Sequence, residues 1–191
     1  MKHQLIRLFT LCSSLFGCLL MLNVALAEQA PVSVQKIVPM LQSWGSDPAL
    51  VAAVKAQNNE NLSLDTIKAR DKTWIATSDV DSFMASLMNN NAAKRLMELE
   101  KSKPYFVELF LMDNQGANVA MTNKTSDYWQ GDEDKFIKSY SNGTGSVYIS
   151  DVEYDDSTLA YLAQISIPIL DQGKAIGALT IGINLDQLES N

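Results

Sequence analysis

The sequence predicts an α+β fold in which helices come first and an antiparallel sheet follows. Apolar residues recur at helical spacing as far as Pro104, and from Tyr105 onward the period becomes that of strands. Two long runs near the C-terminus, Leu159 to Ile169 and Ala178 to Ile183, then alternate bulky apolar residues with small or mildly polar ones.

The helices follow in order. Val34, Ile37, Val38, Leu41 and Trp44 form one apolar stripe, with Pro39 expected to kink or delay the helix and Gly45 to end it. Ser46-Asp47-Pro48 reads as a cap followed by proline at the first helical position, opening a second helix from Ala49 to about Asn58. Ser63 caps a third, on which Leu64, Ile67, Asp71 and Trp74 share a face. An acid inside an apolar stripe is unusual because burying an unpaired carboxylate is expensive. Asp71 therefore either pairs with a nearby Lys or Arg or faces a pocket together with Trp74. A fourth helix is expected from about Ser82 to Lys101, with Phe83, Leu87, Met88, Leu96 and Met97 inward.

Among the strands, Tyr105 to Met112 is apolar at nearly every position except Glu108, as in a central strand covered on both faces. Asp113-Asn114-Gln115-Gly116 turns the chain into a partner, Asn118 to Asn123. Beyond it, the loop Thr125 to Glu133 concentrates Tyr128, Trp129 and several acids before a short helix, Asp134 to Tyr140. Ser141-Asn142-Gly143 turns into a third strand, about Ser146 to Tyr154, and the two alternating strands close the sheet. Their small-residue face leaves volume that a packed helix or a ligand must fill.

Composition narrows the chemistry. Lys2 and Arg7, the apolar run Leu8 to Leu22 and Ala25-Leu26-Ala27 predict a cleaved secretory signal over residues 1–27, with one domain from Glu28 to Asn191 in the periplasm or outside the cell. Both cysteines (Cys12, Cys18) and the single histidine (His3) lie in the signal, so Ser-His-Asp and Cys-His catalysis, thiolate or imidazole metal sites and disulfides are not expected. Removing two of the 15 basic residues leaves 13 against 22 acidic ones, a net charge of −9 that disfavours nucleic acid and anionic lipid. Asp151, Glu153, Asp155 and Asp156 only partly imitate a calcium loop, lacking its glycine and distant glutamate. No metal and no cofactor are therefore expected.

Trp44, Asp47-Pro48, Gln57-Asn58, the Leu64/Asp71/Trp74 helix, Tyr105 with Phe110 to Gly116, the whole Thr125 to Glu133 loop and Ile176 to Leu179 together resemble a stand-alone Cache domain. Such domains are also called PDC-type or extracytoplasmic PAS-like sensor domains, and the resemblance spans about Val34 to Leu185. It implies a long N-terminal helix along a central antiparallel sheet of about five strands, with a small organic ligand between sheet and loops. Such domains usually form the outer part of chemoreceptors, histidine kinases or cyclic-dinucleotide enzymes. With no second membrane helix and no signalling module before Asn191, action through a separate membrane receptor or partner is expected, with a homodimer open.

The candidate ligand-binding residues are Asp71, Trp74, Lys124, Thr125, Ser126, Asp127, Tyr128, Trp129 and Tyr148. Tyr128 and Trp129 offer flat apolar area with a hydroxyl and an indole donor, while Thr125 and Ser126 can bond a carboxylate or carbonyl. Tyr148, Ser150 and Tyr154 alternate onto one side of the third strand and could line the same cavity. A small carboxylate such as pyruvate, or an amino acid, is the expected ligand; a carboxylate would need a cation such as Lys124 or Arg70, and an amine would use Asp71, Asp127 and Asp151. The alternatives are a carboxylate hydrolase built on Asp127 and Asp132 and an interaction or inhibitory protein with a vestigial pocket. No catalytic residue is assigned and an enzyme is not expected.

Overall fold

The computed structural model describes residues 30–155 and 159–190. The signal segment expected over residues 1–27, with His3, Cys12 and Cys18, and the acid Asp156 lie outside the described residues. Five helices come first: α1 (Val32–Trp44), α2 (Pro48–Asn59), α3 (Leu64–Ala76), α4 (Ser82–Asn89) and α5 (Asn91–Glu100). The caps read from sequence form. Asp47 accepts from the amides of Ala49 and Leu50, and Ser63 accepts from that of Thr66. The helix α1 runs through Pro39, and at 13 residues it is, within the described residues, the only counterpart of the long N-terminal helix implied by the resemblance.

One expected helix is two. At Asn90 the backbone is extended (φ −70°, ψ 174°), its carboxamide oxygen accepts from the amide of Ala93, and its Nδ2 donates to the carbonyl of Val119 at 2.9 Å. The side chain thus ends α4, starts α5 and ties both to the sheet.

The sheet comprises β1 (Phe106–Met112), β2 (Asn118–Met121), β3 (Tyr148–Ile149), β4 (Glu153–Asp155), β5 (Ala160–Asp171) and β6 (Lys174–Asn184), all pairs antiparallel. The order is β2-β1-β6-β5-β3, with β4 also on β5. The single third strand expected from sequence is therefore broken into β3 and β4, which lie end to end along one edge. The helix α6 (Asp134–Tyr140) falls between β2 and β3, and α7 (Leu185–Glu189) closes the described chain.

The two faces differ as the alternation predicts. Leu109, Leu111, Ile165, Ile167, Ile169, Leu179, Ile181 and Ile183 pack with Val34, Leu41, Leu50, Val54 and Leu96 of α1, α2 and α5 into the main core. On the other face the register lines up rows: Met112, Ala178 and Pro168; then Phe110, Thr180, Ser166 and Tyr148; then Glu108, Gly182 and Gln164. Four pieces cover this face. Ile67 and Trp74 of α3, Met84 and Leu87 of α4, Tyr128 of the loop and Phe136 of α6 join Phe110, Met112, Met121 and Ala178 in a second cluster. The helix α6 has 7 residues and β5 has 12, roughly 10 Å against 40 Å. So short a helix leaves the Glu108 end of the sheet bare.

Candidate functional site

The Thr125–Glu133 loop is built from backbone satisfaction. Asp71 Oδ1 accepts from the amides of Tyr128 (2.9 Å) and Trp129 (3.0 Å). Trp74 Nε1 donates to the carbonyl of Thr125 at 2.8 Å, and Trp129 Nε1 to that of Gln115 at 2.8 Å. Asn118 Nδ2 donates to Thr125 Oγ1 and the Asp127 carbonyl, which also takes bonds from the Thr125 hydroxyl and from Gln130 Nε2. Ser126 Oγ bonds the carboxylate of Asp127. Lys124 Nζ donates to the carbonyl of Thr77, and Arg70 lies 5.4 Å from the ring of Phe83. Neither Asp127 nor Asp132 caps α6, whose N-cap, Glu133, makes no side-chain cap bond.

The candidates therefore separate. Trp74 and Tyr128 are core residues, their rings 5.8 Å apart, and burial pushes the Tyr128 hydroxyl above its ordinary pKa. Asp71, Asp127 and Trp129 border an open groove with Lys68, Ile75, Asp132 and Glu133, where Lys68 Nζ stands 4.4 Å over the Trp129 ring. Of the loop only its last residue, Glu133, also borders the depression that Tyr148 lines; Asp71, Asp127 and Trp129 do not.

Tyr148 lines a different depression, a hollow of about 330 Å³ over the uncovered end of the small-residue face. Glu108, Leu162 and Gln164 supply its floor, Glu133 to Lys135 at the start of α6 one wall, and Tyr148, Ser150, Asp151, Glu153 and Tyr154 the broken edge. A Cβ on Gly182 would stand 2.5 Å from Glu108 Cγ, so the glycine lets Glu108 lie across the sheet. Glu108 Oε1 there accepts from Gln164 Nε2 at 2.9 Å. The interruption after β3 is fixed by Ser150, whose Oγ accepts from the amide of Gln164 and donates to the carbonyl of Asp151. Burial, followed by neighbouring charges, pushes the Tyr148 hydroxyl above its ordinary pKa; the carboxylates of Asp134, Asp151 and Glu153 raise it and the Lys138 ammonium opposes them. Glu108 and Gln164 are residues the sequence reading did not assign. The available signal was a lone acid in an apolar strand and a glycine in the last strand, β6, which pairs beside it.

With this geometry described, comparison with known proteins decides the family. Residues 80–190 match the model of the methyl-accepting chemotaxis protein-like, first PDC sensor domain. The chain belongs to that family. The match takes in α4 to α7, and so the whole sheet and hollow of this PDC domain, while α1 to α3 precede it. No curated protein matches. Similar solved structures include the sensor domain of the Vibrio cholerae histidine kinase DctB, at 12% identity and TM-score 0.45, covering 83% of this chain and 52% of that one. The ligand-binding domain of the Campylobacter jejuni chemoreceptor Tlp3 in complex with L-norvaline has 17% identity and TM-score 0.46, over 83% and 55%. The ligand-binding domain of the Pseudomonas aeruginosa amino acid chemoreceptor PctC in complex with GABA has 10% identity and TM-score 0.38, over 82% and 63%. The PDC domain thus spans little more than half the length of the first two. Among the described residues no helix is long and apolar enough to cross a membrane.

Proposed function

We propose that this PDC domain is a small-molecule sensor that takes its ligand in the hollow over the Glu108, Gly182 and Gln164 row. The observation that carries the reading is the hollow itself: a sheet face of small and polar residues, bare beyond the first turn of α6, with Tyr148 and polar side chains standing around it. Its 330 Å³ lies at the lower end of the roughly 300–1,000 Å³ typical of ligand sites, which fits a small metabolite. Membership in a sensor family supports binding over catalysis. In this reading residues 1–27 are removed, the domain from Glu28 works outside the cytoplasm, and the bound state is passed to a separate membrane receptor or partner, or across a homodimer.

Of the residues proposed from sequence, Tyr148 stays a contact. Asp71, Trp74, Lys124, Thr125, Ser126, Asp127, Tyr128 and Trp129 become the frame that holds the loop, because their polar groups or rings already have partners in the chain. The test is thermal unfolding of the purified protein against short organic acids including pyruvate, amino acids and amines, since a ligand of the native state raises the midpoint by mass action. A shift from a few compounds, abolished by Leu162→Trp in the floor of the hollow, is expected. Turnover of a compound would favour the hydrolase, and no shift from the whole panel would sink the sensor reading.

A further inference from the structure

We infer that the ligand of the hollow is an organic cation, an amine with net positive charge, and not a free carboxylate. This rests on the sensor reading above and adds the charge class. The hollow is lined by five carboxylates, Glu108, Glu133, Asp134, Asp151 and Glu153, against one ammonium, Lys135. That ammonium is already committed: it lies 2.8 Å from a carboxylate oxygen of Glu133. Asp134 is paired in turn with Lys138 at 2.7 Å. Among the described residues no cation pairs with Glu108, Asp151 or Glu153.

Their placement makes them more than a charged surface. Glu108 is fixed on the floor, lying over Gly182 with one oxygen bonded to Gln164, while Asp151 and Glu153 stand on the opposite, broken edge. Negative potential therefore enters the same volume from floor and rim, and walls of low dielectric concentrate it. A carboxylate ligand would meet like charges and find no uncommitted cation, whereas an ammonium would find acceptors on both sides. The Tyr148 side chain agrees. Lys138 Nζ already stands 4.8 Å over its ring, so an aromatic face at this edge is already engaged with a cation.

A metal ion fits less well. Among the described residues no three acidic side chains come close enough to hold one, so the carboxylates surround an extended ligand and do not converge on a point. A compound with an ammonium toward Glu108 and a second polar end toward Asp151 or Glu153 matches that spread.

The experiment is titration calorimetry of the purified protein with straight-chain diamines of three to six carbons, and with the ω-amino acids and dicarboxylates of the same lengths. A diamine is expected to bind, the zwitterion more weakly and the dicarboxylate not at all, with affinity falling as salt is raised. Glu108→Gln keeps the shape and the bond to Gln164, and is expected to weaken diamine binding at least tenfold. Leu162→Trp should abolish it, while Asp79→Asn on the exposed α3–α4 connection should leave it unchanged. Preferred binding of the zwitterion or dicarboxylate, removed by Leu162→Trp, would leave the sensor reading standing and overturn the charge class. Diamine binding that ignores Glu108→Gln, or that falls equally with Asp79→Asn, would reduce it to diffuse surface attraction and overturn the assignment. Failure of every diamine also overturns it, and failure of the broader metabolite panel removes the sensor reading as well.

Discussion

The Thr125–Glu133 loop and the broken edge from Tyr148 to Tyr154 carry similar residue types, aromatics beside acids, and use them in opposite ways. In the loop, Trp74, Trp129, Asn118, Gln130 and the Asp71 carboxylate spend their hydrogen bonds on main-chain groups, and Tyr128 disappears into the core. At the edge, among the described residues, the side chains of Asp151 and Glu153 bond no main-chain group, and they border open volume. Density of aromatic and acidic residues therefore does not separate a latch from an open hollow. What separates them is whether unpaired amides and carbonyls lie within reach.

The sharpest way to break this comparison is Trp74→Ala. It empties a fully buried site and leaves the Thr125 carbonyl without its indole donor, which should cost about 3–5 kcal/mol in denaturant unfolding. Asp71→Ala comes next, at about 2 kcal/mol, because two loop amides lose a charged acceptor. Asp71→Asn should cost less, its amide oxygen still accepting. In none of these three α3 variants that remains folded should ligand affinity at the hollow fall more than a few fold; a large, selective loss with stability retained would place the ligand at the loop.

Gly182→Ala tests the other side of the comparison. Its Cβ would stand 2.5 Å from Glu108 Cγ, so the carboxylate must swing off the floor at a cost of about 1 kcal/mol. Ligand binding should suffer more than stability, and calorimetry beside denaturant melts would show which does.

The smallest effect expected is a pH dependence. Asp113, at the base of the β1–β2 turn, is buried, and desolvation holds its pKa above the ordinary value against the bonds it accepts from Gln57 and from the amides of Gln115, Ala117 and Gly116. Because the folded value is raised, the native state binds the extra proton. The contribution is fully present below the unfolded value, about pH 4, and is lost as pH rises through the folded value. Asp113→Asn should flatten that fall in a series of melts, though Glu100, also raised by burial first, will retain a share of it.

Much of the architecture was legible because its causes are local. The caps at Asp47 and Ser63, the turn at Asp113 to Gly116 and the alternation of β5 and β6 each follow from a few neighbouring side chains. The break at Asn90 was not legible, since it depends on a carbonyl of β2 far along the chain. Nor was the division of the edge strand, fixed where Ser150 bonds the amide of Gln164. For the site, the spacing of Asp71 and Trp74 on one face was right, but their partners are backbone groups, which leave no mark in a sequence. Tyr148 was legible as a strand residue with an aromatic face. The floor was not, because Glu108 acquires its place only when Gly182 and Gln164 pair beside it.

The most direct test of the central claim is a crystal structure of the protein with the compound that gives the largest thermal shift. The account predicts ligand density between Glu108, Gln164 and Tyr148, with the Asp71 to Tyr128 and Trp129 bonds unchanged. Density seated against Trp129 and Asp71, with the hollow over Gly182 holding only solvent, would contradict it.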